Sequence, residues 1–230
     1  MEGSREDQRR QGGRPLSLSA REEILGRIHA ALPEEARDIA GSYASIPRLY
    51  HRTGTLDASA RLDLFIDRLL DYDTEIIQVQ TEKDLPSAIE RALQHFDRQR
   101  AIAPVDFPAE WLPAHASVQL DHALTVDQIE LADSIITTCE VAIASTGTIL
   151  LIHAGSQGRR ILTLLPDHHI CLVRRDQVVE LVPEAMAAIA SKSSSPITTI
   201  SGPSATADIE MIRIRGVHGP RSLTVILYGS

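Results

Sequence analysis

Residues 75–103 read as an apolar run, a helical stripe and a second apolar run in immediate succession. Residues 75–80 alternate around Ile76, Ile77 and Val79 as a strand does. Leu85, Ala88, Ile89, Ala92, Leu93 and Phe96 then fall on one helical face behind a capping Thr81, and residues 100–103 form the next short strand. A helix between two buried strands is the signature of a crossover connection, which only a parallel sheet needs. The rhythm continues with strands at 117–120 and 134–138 and a brief helix at 126–132. The fold class is therefore α/β, with a largely parallel sheet flanked by helices.

Further along, strands are expected at 148–153, 160–164, 170–173, 197–200 and 223–227, with one helix at 176–189. Their short connections favour antiparallel pairing, so the whole sheet is expected to be mixed. Upstream, Ser19 precedes a helix at 20–32, and Leu62, Phe65, Ile66 and Leu69 mark a second. Residues 1–18 are polar throughout and read as a disordered tail. The expected organisation is one domain over 19–230, with a helical lead-in at 19–70 and an α/β core at 71–230.

Composition narrows the function classes. Aromatics make up 3% of the chain and the formal charge is −8. That leaves few stacking rings and an unfavourable field for a nucleic-acid partner. There is no apolar stretch of membrane-spanning length and no signal-peptide core, so a cytoplasmic protein is expected. The two cysteines, Cys139 and Cys171, lie inside apolar runs without a CxxC spacing, too few to hold an iron–sulfur cluster. No metal site is expected, because His168 and His169 are adjacent and point apart in a strand, and no third ligand accompanies them.

Three glycine-bearing turns lie at strand ends, where α/β proteins place their ligands. In Thr146-Gly147-Thr148 the glycine permits a left-handed turn and the hydroxyls could join an anion site; a plain hairpin turn would use the same residues. In the segment from Ser201 and Gly202 onward, Ser204, Thr206, Asp208 and Glu210 alternate and would share one face if extended. Asp208 and Glu210 are candidates for acid–base work; capping by Ser204 or Thr206, with solvated acids, is the alternative. Before the last strand, His218 is a further catalytic candidate and Arg221 a clamp for a carboxylate or phosphate. The residues from Gly155 to Arg160 read as a polar hairpin loop with an exposed basic pair.

Four motifs, in order, carry a resemblance: residues 142–148 (AIASTGT), 164–170 (LLPDHHI), 202–210 (GPSATADIE) and 216–221 (GVHGPR). They resemble the LUD-domain family, and within it the short lactate-utilisation members that lack iron–sulfur ligands. The resemblance implies a fold similar to the sugar-phosphate isomerase and CoA-transferase group. It also implies an accessory or substrate-handling part in an iron–sulfur system oxidising L-lactate to pyruvate. In that setting the clusters belong to two cysteine-rich partner proteins, and no cofactor is bound by this chain. Thr146, Gly147, Thr148, His169, Ser201, Gly202, Ser204, Thr206 and Arg221 are then the expected ligand-binding residues, for a small carboxylate or phosphate. One departure is clear: Ser145 stands where the family usually has an acid, and Glu140 is the nearest carboxylate. A stand-alone enzyme acting on a small phosphorylated or acyl substrate is the alternative.

Overall fold

The computed structural model describes residues 19–32, 41, 43, 45–97, 100–192, 195–206, 214–215 and 219–229, with the backbone alone at 206 and 214–215. The expected tail at 1–18 and the candidates Asp208, Glu210 and His218 lie outside these residues. The chain divides between Tyr50 and His51 into two units. In the first, α1 (Ala20–Ala31) starts at a capping box in which Ser19 and Glu22 exchange side-chain and backbone hydrogen bonds, and none of its residues is buried.

The second unit holds everything else. Helix α2 (Ala58–Leu70) begins on an Asp57 cap and buries Phe65 and Leu69, so it belongs to the core of this unit. The expected lead-in thus divides: α1 in one unit, α2 in the other. Six parallel strands form the large sheet: β1 (Glu75–Gln78), β2 (Arg100–Pro104), β3 (Ser117–Asp121), β4 (Ser134–Thr138), β7 (His168–Arg174) and β12 (Ser222–Tyr228). Their order is β1-β12-β7-β4-β2-β3.

Helix α3 (Leu85–His95) lays its apolar stripe on one face, where Leu85, Ala88, Ile89, Ala92 and Leu93 meet Ile136, Ile170, Leu172 and Ile226. Each leucine or isoleucine removed from water in this way contributes roughly 1.5–3 kcal/mol. The short helix α4 (Val126–Glu130), capped reciprocally by Thr125 and Gln128, covers part of the opposite face with Ile129 against Ile102 and Ile135.

The antiparallel pairs expected in a single mixed sheet are gathered in a second one. It comprises β5 (Val141–Ile143), β6 (Thr148–Ile152), β8 (Val178–Val179) and β9 (Ile197–Ile200), in the order β8-β5-β6-β9. All five residues of β6 are buried. Ile149 and Leu151 face α2 and the large sheet, whereas Leu150 and Ile152 face α5 (Val182–Ile189). A strand covered on both sides has no polar face to show, which is why its sequence is continuously apolar.

Two expectations are corrected. Residues 160–164 do not form a strand: Arg160–Thr163 is a 3-10 turn whose Leu162 plugs the contact between α4 and the large sheet. A short apolar run fits either period, and here tertiary packing decides. The helix expected at 176–189 starts at Val182, because Val178–Val179 pair with β5 first and Pro183, lacking an N–H, fits only the opening turn.

Candidate functional site

A cleft of about 230 Å³ opens between β9, the loop that follows it, and the amino-terminal ends of β7 and β12. Its polar lining includes Arg160, Thr163, His169, Thr198, Ser201 and Ser204. The volume lies below the roughly 300–1,000 Å³ typical of sites for drug-sized ligands. It suits a small organic acid or inorganic anion.

The chain makes this cleft by leaving the large sheet after β4. It builds β5 and β6, returns through the 160–163 turn, and re-enters as β7, directly beside β4. Two small strands hold the rim: β10 (Ala205–Thr206) pairs antiparallel with β11 (Ile214–Arg215). The Ser204 N–H donates to the Pro220 carbonyl at 2.8 Å, tying the loop after β9 to the loop before β12.

Of the residues expected from sequence, His169, Ser201, Gly202 and Ser204 line the cleft, as do Gly219 and Pro220 of the terminal motif. Thr148 joins from behind: its hydroxyl lies 2.8 Å from that of Ser201 and 2.7 Å from that of Thr146. Thr146 and Thr148 therefore brace the cleft wall rather than line it. The backbone of Thr206 pairs with that of Ile214 in β11.

Gly147 takes a different part. It is left-handed at φ 58°, and a Cβ there would sit 2.9 Å from the Cβ of Arg68 in α2. Both the left-handed turn and the close approach of α2 favour glycine here. Gly147→Ala is expected to lower stability by about 2 kcal/mol, from a left-handed alanine and the overpacking of its Cβ against Arg68. Denaturant melts should show that loss, and titrations of the cleft should show unchanged affinity.

Arg221 lies outside the lining. Its guanidinium makes a two-point pair with Asp167, with Nε 2.8 Å from Oδ1 and the second bond from Nη2 to Oδ2. That pairing raises the arginine further above its ordinary value. Glu140 is engaged elsewhere too. It bonds Lys192 at 2.6 Å and accepts from Gln157 at 3.1 Å, beside a second cleft of about 460 Å³.

Arg160, one of the exposed basic pair expected in this loop, lines the cleft. The two arginines part company. Arg159 turns to Asp121, with bonds of 2.7 and 2.6 Å, whereas Arg160 donates to Thr163 at 2.9 Å. Among the described residues no carboxylate lies within ion-pair distance of Arg160, and burial pushes its basicity down. A partly desolvated guanidinium gains most from an anion that completes its hydrogen bonds.

Both histidines nearby are held neutral. Burial, and then the charge of Arg160, push His169 down to about 4. Burial is likewise the main cause lowering His153, whose Nδ1 lies 3.2 Å from the Gly158 carbonyl and whose Nε2 lies 2.6 Å from the Thr198 hydroxyl. His168, its ring on the far face of β7, bonds Ser134 at 3.2 Å and Thr224 at 2.8 Å, away from the cleft. The adjacent imidazoles point apart as a strand requires.

This combination of a parallel sheet, an inserted small sheet and a polar cleft between them is that of a LUD-domain protein. The family profile, described as LUD domain, matches residues 73–228, and the chain belongs to that family. It is 41% identical to Lactate utilization protein C of Deinococcus radiodurans, over 94% of this chain and 98% of that one. It is 27% identical to the Bacillus subtilis protein of the same name over 92% of this chain, and 26% identical to the Escherichia coli uncharacterized protein YkgG over 86%. A crystal structure of a DUF162 family protein from Deinococcus radiodurans superimposes with a TM-score of 0.67 at 40% identity. It covers 76% of this chain and all of its own.

Proposed function

We propose that this chain is a substrate-handling component of a lactate-utilisation system, and that its cleft holds the carboxylate of a small organic acid on Arg160. The observation that carries the reading is a guanidinium with no described carboxylate partner, at a cleft of about 230 Å³ rimmed by hydroxyls. The names of the full-length relatives supply the pathway. Two buried cysteines are too few to ligate a cluster. The electrons of lactate oxidation are therefore assigned to cysteine-rich iron–sulfur partner proteins in the cytoplasm, with this chain presenting or retaining the acid.

Calorimetric titration of the isolated chain with L-lactate, pyruvate and phosphate tests this. Saturable binding of a carboxylate without turnover is expected. Arg160→Gln should weaken it tenfold or more, since a hydrogen bond to a charged group contributes roughly 1.5–3 kcal/mol. Failure of the wild-type chain to bind either acid, or binding of phosphate alone, would overturn the proposal.

A further inference from the structure

One hydroxyl of the cleft has a base behind it. The His153 imidazole lies between two oxygens, with Nδ1 3.2 Å from the Gly158 carbonyl and Nε2 2.6 Å from the Thr198 hydroxyl. A carbonyl only accepts, so Nδ1 carries the proton, and in the neutral ring Nε2 is bare. Thr198 must therefore donate to Nε2. A hydroxyl that donates to an imidazole, itself oriented by a third group, is the arrangement that activates a nucleophile. Other hydroxyls of the cleft are set differently: Ser201 bonds the Thr148 hydroxyl, and Thr163 accepts from Arg160.

The fold turns Thr198 towards the cleft. On β9 it stands opposite Leu151 and two residues from Ile200. Both of those pack in the core between the second sheet and the large one. Paired residues share a face and side chains alternate along a strand, so Thr198 points to that same side. The cleft is the mouth of this space: Leu223 belongs to the core there and also lines the cleft, as Thr198 does. His153 follows β6, and its N–H donates to the Pro196 carbonyl at 3.1 Å, which fixes it beside β9.

We propose that Thr198 is a nucleophile and His153 its general base, and that the cleft transfers acyl groups from short-chain carboxylic esters. The Thr198 oxygen attacks the ester carbonyl carbon while its proton passes to His153 Nε2. The bond from that carbon to the alkoxy oxygen breaks, and the alcohol leaves with the proton from Nε2. Water then attacks the acyl-threonine and gives a proton to Nε2. The acid is released as the Thr198 oxygen takes that proton back, and no electrons are exchanged. Arg160, on the same lining, is the cation available to the carbonyl oxygen as it gains charge. This activity goes beyond the carboxylate reading and does not rest on it.

Incubation of the purified chain with p-nitrophenyl acetate tests the proposal. Release of p-nitrophenol is expected, with an acetyl group trapped by acid quench and mapped by peptide mass spectrometry to Thr198. Thr198→Val, which keeps the shape of the side chain, should abolish both, and Thr198→Ser should retain them. His153→Gln should slow acylation about a hundredfold or more, as loss of a general base does. Burial lowers His153 from 6.5, with the charge of Arg160 adding to it and the Gly158 hydrogen bond opposing it. A protonated ring cannot accept, so the rate should rise with pH through a midpoint below 6.5. A wild-type chain that releases no p-nitrophenol, or carries its acetyl group elsewhere, would overturn the proposal. So would a rate unchanged in Thr198→Val, and a midpoint above 6.5 would remove His153 from the role of base.

Discussion

Gly202→Ala is expected to destabilise the second unit by about 3 kcal/mol. Gly202 sits at φ 83°, in the left-handed region, and is buried where the chain turns out of β9. An alanine Cβ would lie 2.5 Å from the Cβ of Tyr72 and 2.9 Å from its Cγ. A left-handed alanine costs about 1–2 kcal/mol, and overpacking a closed contact about 1–3 kcal/mol. The Cβ of Tyr72 is fixed to its backbone, so relief requires the turn after α2 and the loop after β9 to move apart. For a chain of this size the midpoint of thermal unfolding should fall by about 6–12 °C. Because Gly202 also lines the cleft, affinity for its ligand should fall as well. This contrasts with Gly147→Ala, where stability alone is affected. An unchanged melting temperature would show that the turn can shift without strain.

Asp121→Ala should cost about 2–3 kcal/mol. The Asp121 side chain is 5% exposed at the end of β3 and accepts three hydrogen bonds, two from Arg159 and one from the Leu124 N–H. Breaking a fully buried pair costs about 3–5 kcal/mol. Arg159 is 47% exposed, so water compensates part of its loss and the lower figure applies. The hydrogen bonds from Arg159, against the opposing effect of burial, hold the Asp121 carboxyl below its ordinary value of 3.8. A depressed folded value means the stabilisation is complete above about pH 3.8. It is lost as pH falls through the lower, folded value. Urea melts of wild type and Asp121→Ala should therefore differ fully at neutral pH and converge in strong acid. A gap that stayed constant into acid would show that the loss arises from the cavity rather than the charge.

The parts of the fold legible in the sequence are those where one face is dry and the other wet. Helix α3 shows its stripe because only one side meets the large sheet. The second sheet was hidden for the opposite reason. Its β5 has three residues and its β8 two, too short for any period, and each is defined by its partner rather than by its own pattern. The 160–163 turn escapes local reading because Leu162, buried, and Ile161, partly buried, make contacts that a helical turn and a strand satisfy equally.

At the site, Ser201, Gly202 and Ser204 are legible because a turn glycine at a strand end announces itself, whereas His169 comes in only with the family resemblance. Arg160 is not legible as a cleft residue. Which of two neighbouring arginines meets Asp121, 38 residues away, is settled by the path of the chain and not by local sequence. The left-handed glycine of the Thr-Gly-Thr turn was a true signal with two physical sources. The packing of Arg68 against it is a source that local sequence does not show.

The position of β12 bears on how the molecule comes into being. This strand lies between β1 and β7, so β1 meets the large sheet only through a segment synthesised far later. During synthesis, β4 and β7 can already pair while β1 and part of the α3 face remain without a sheet neighbour. A ribosome must therefore release residues 222–228 before the sheet can close. Contacts so distant in sequence form slowly, because the chain between them must first be drawn together. Until then the apolar faces of β1 and β7 stand open to solvent, and it is in this interval, rather than in the finished protein, that a chaperone would find most to hold.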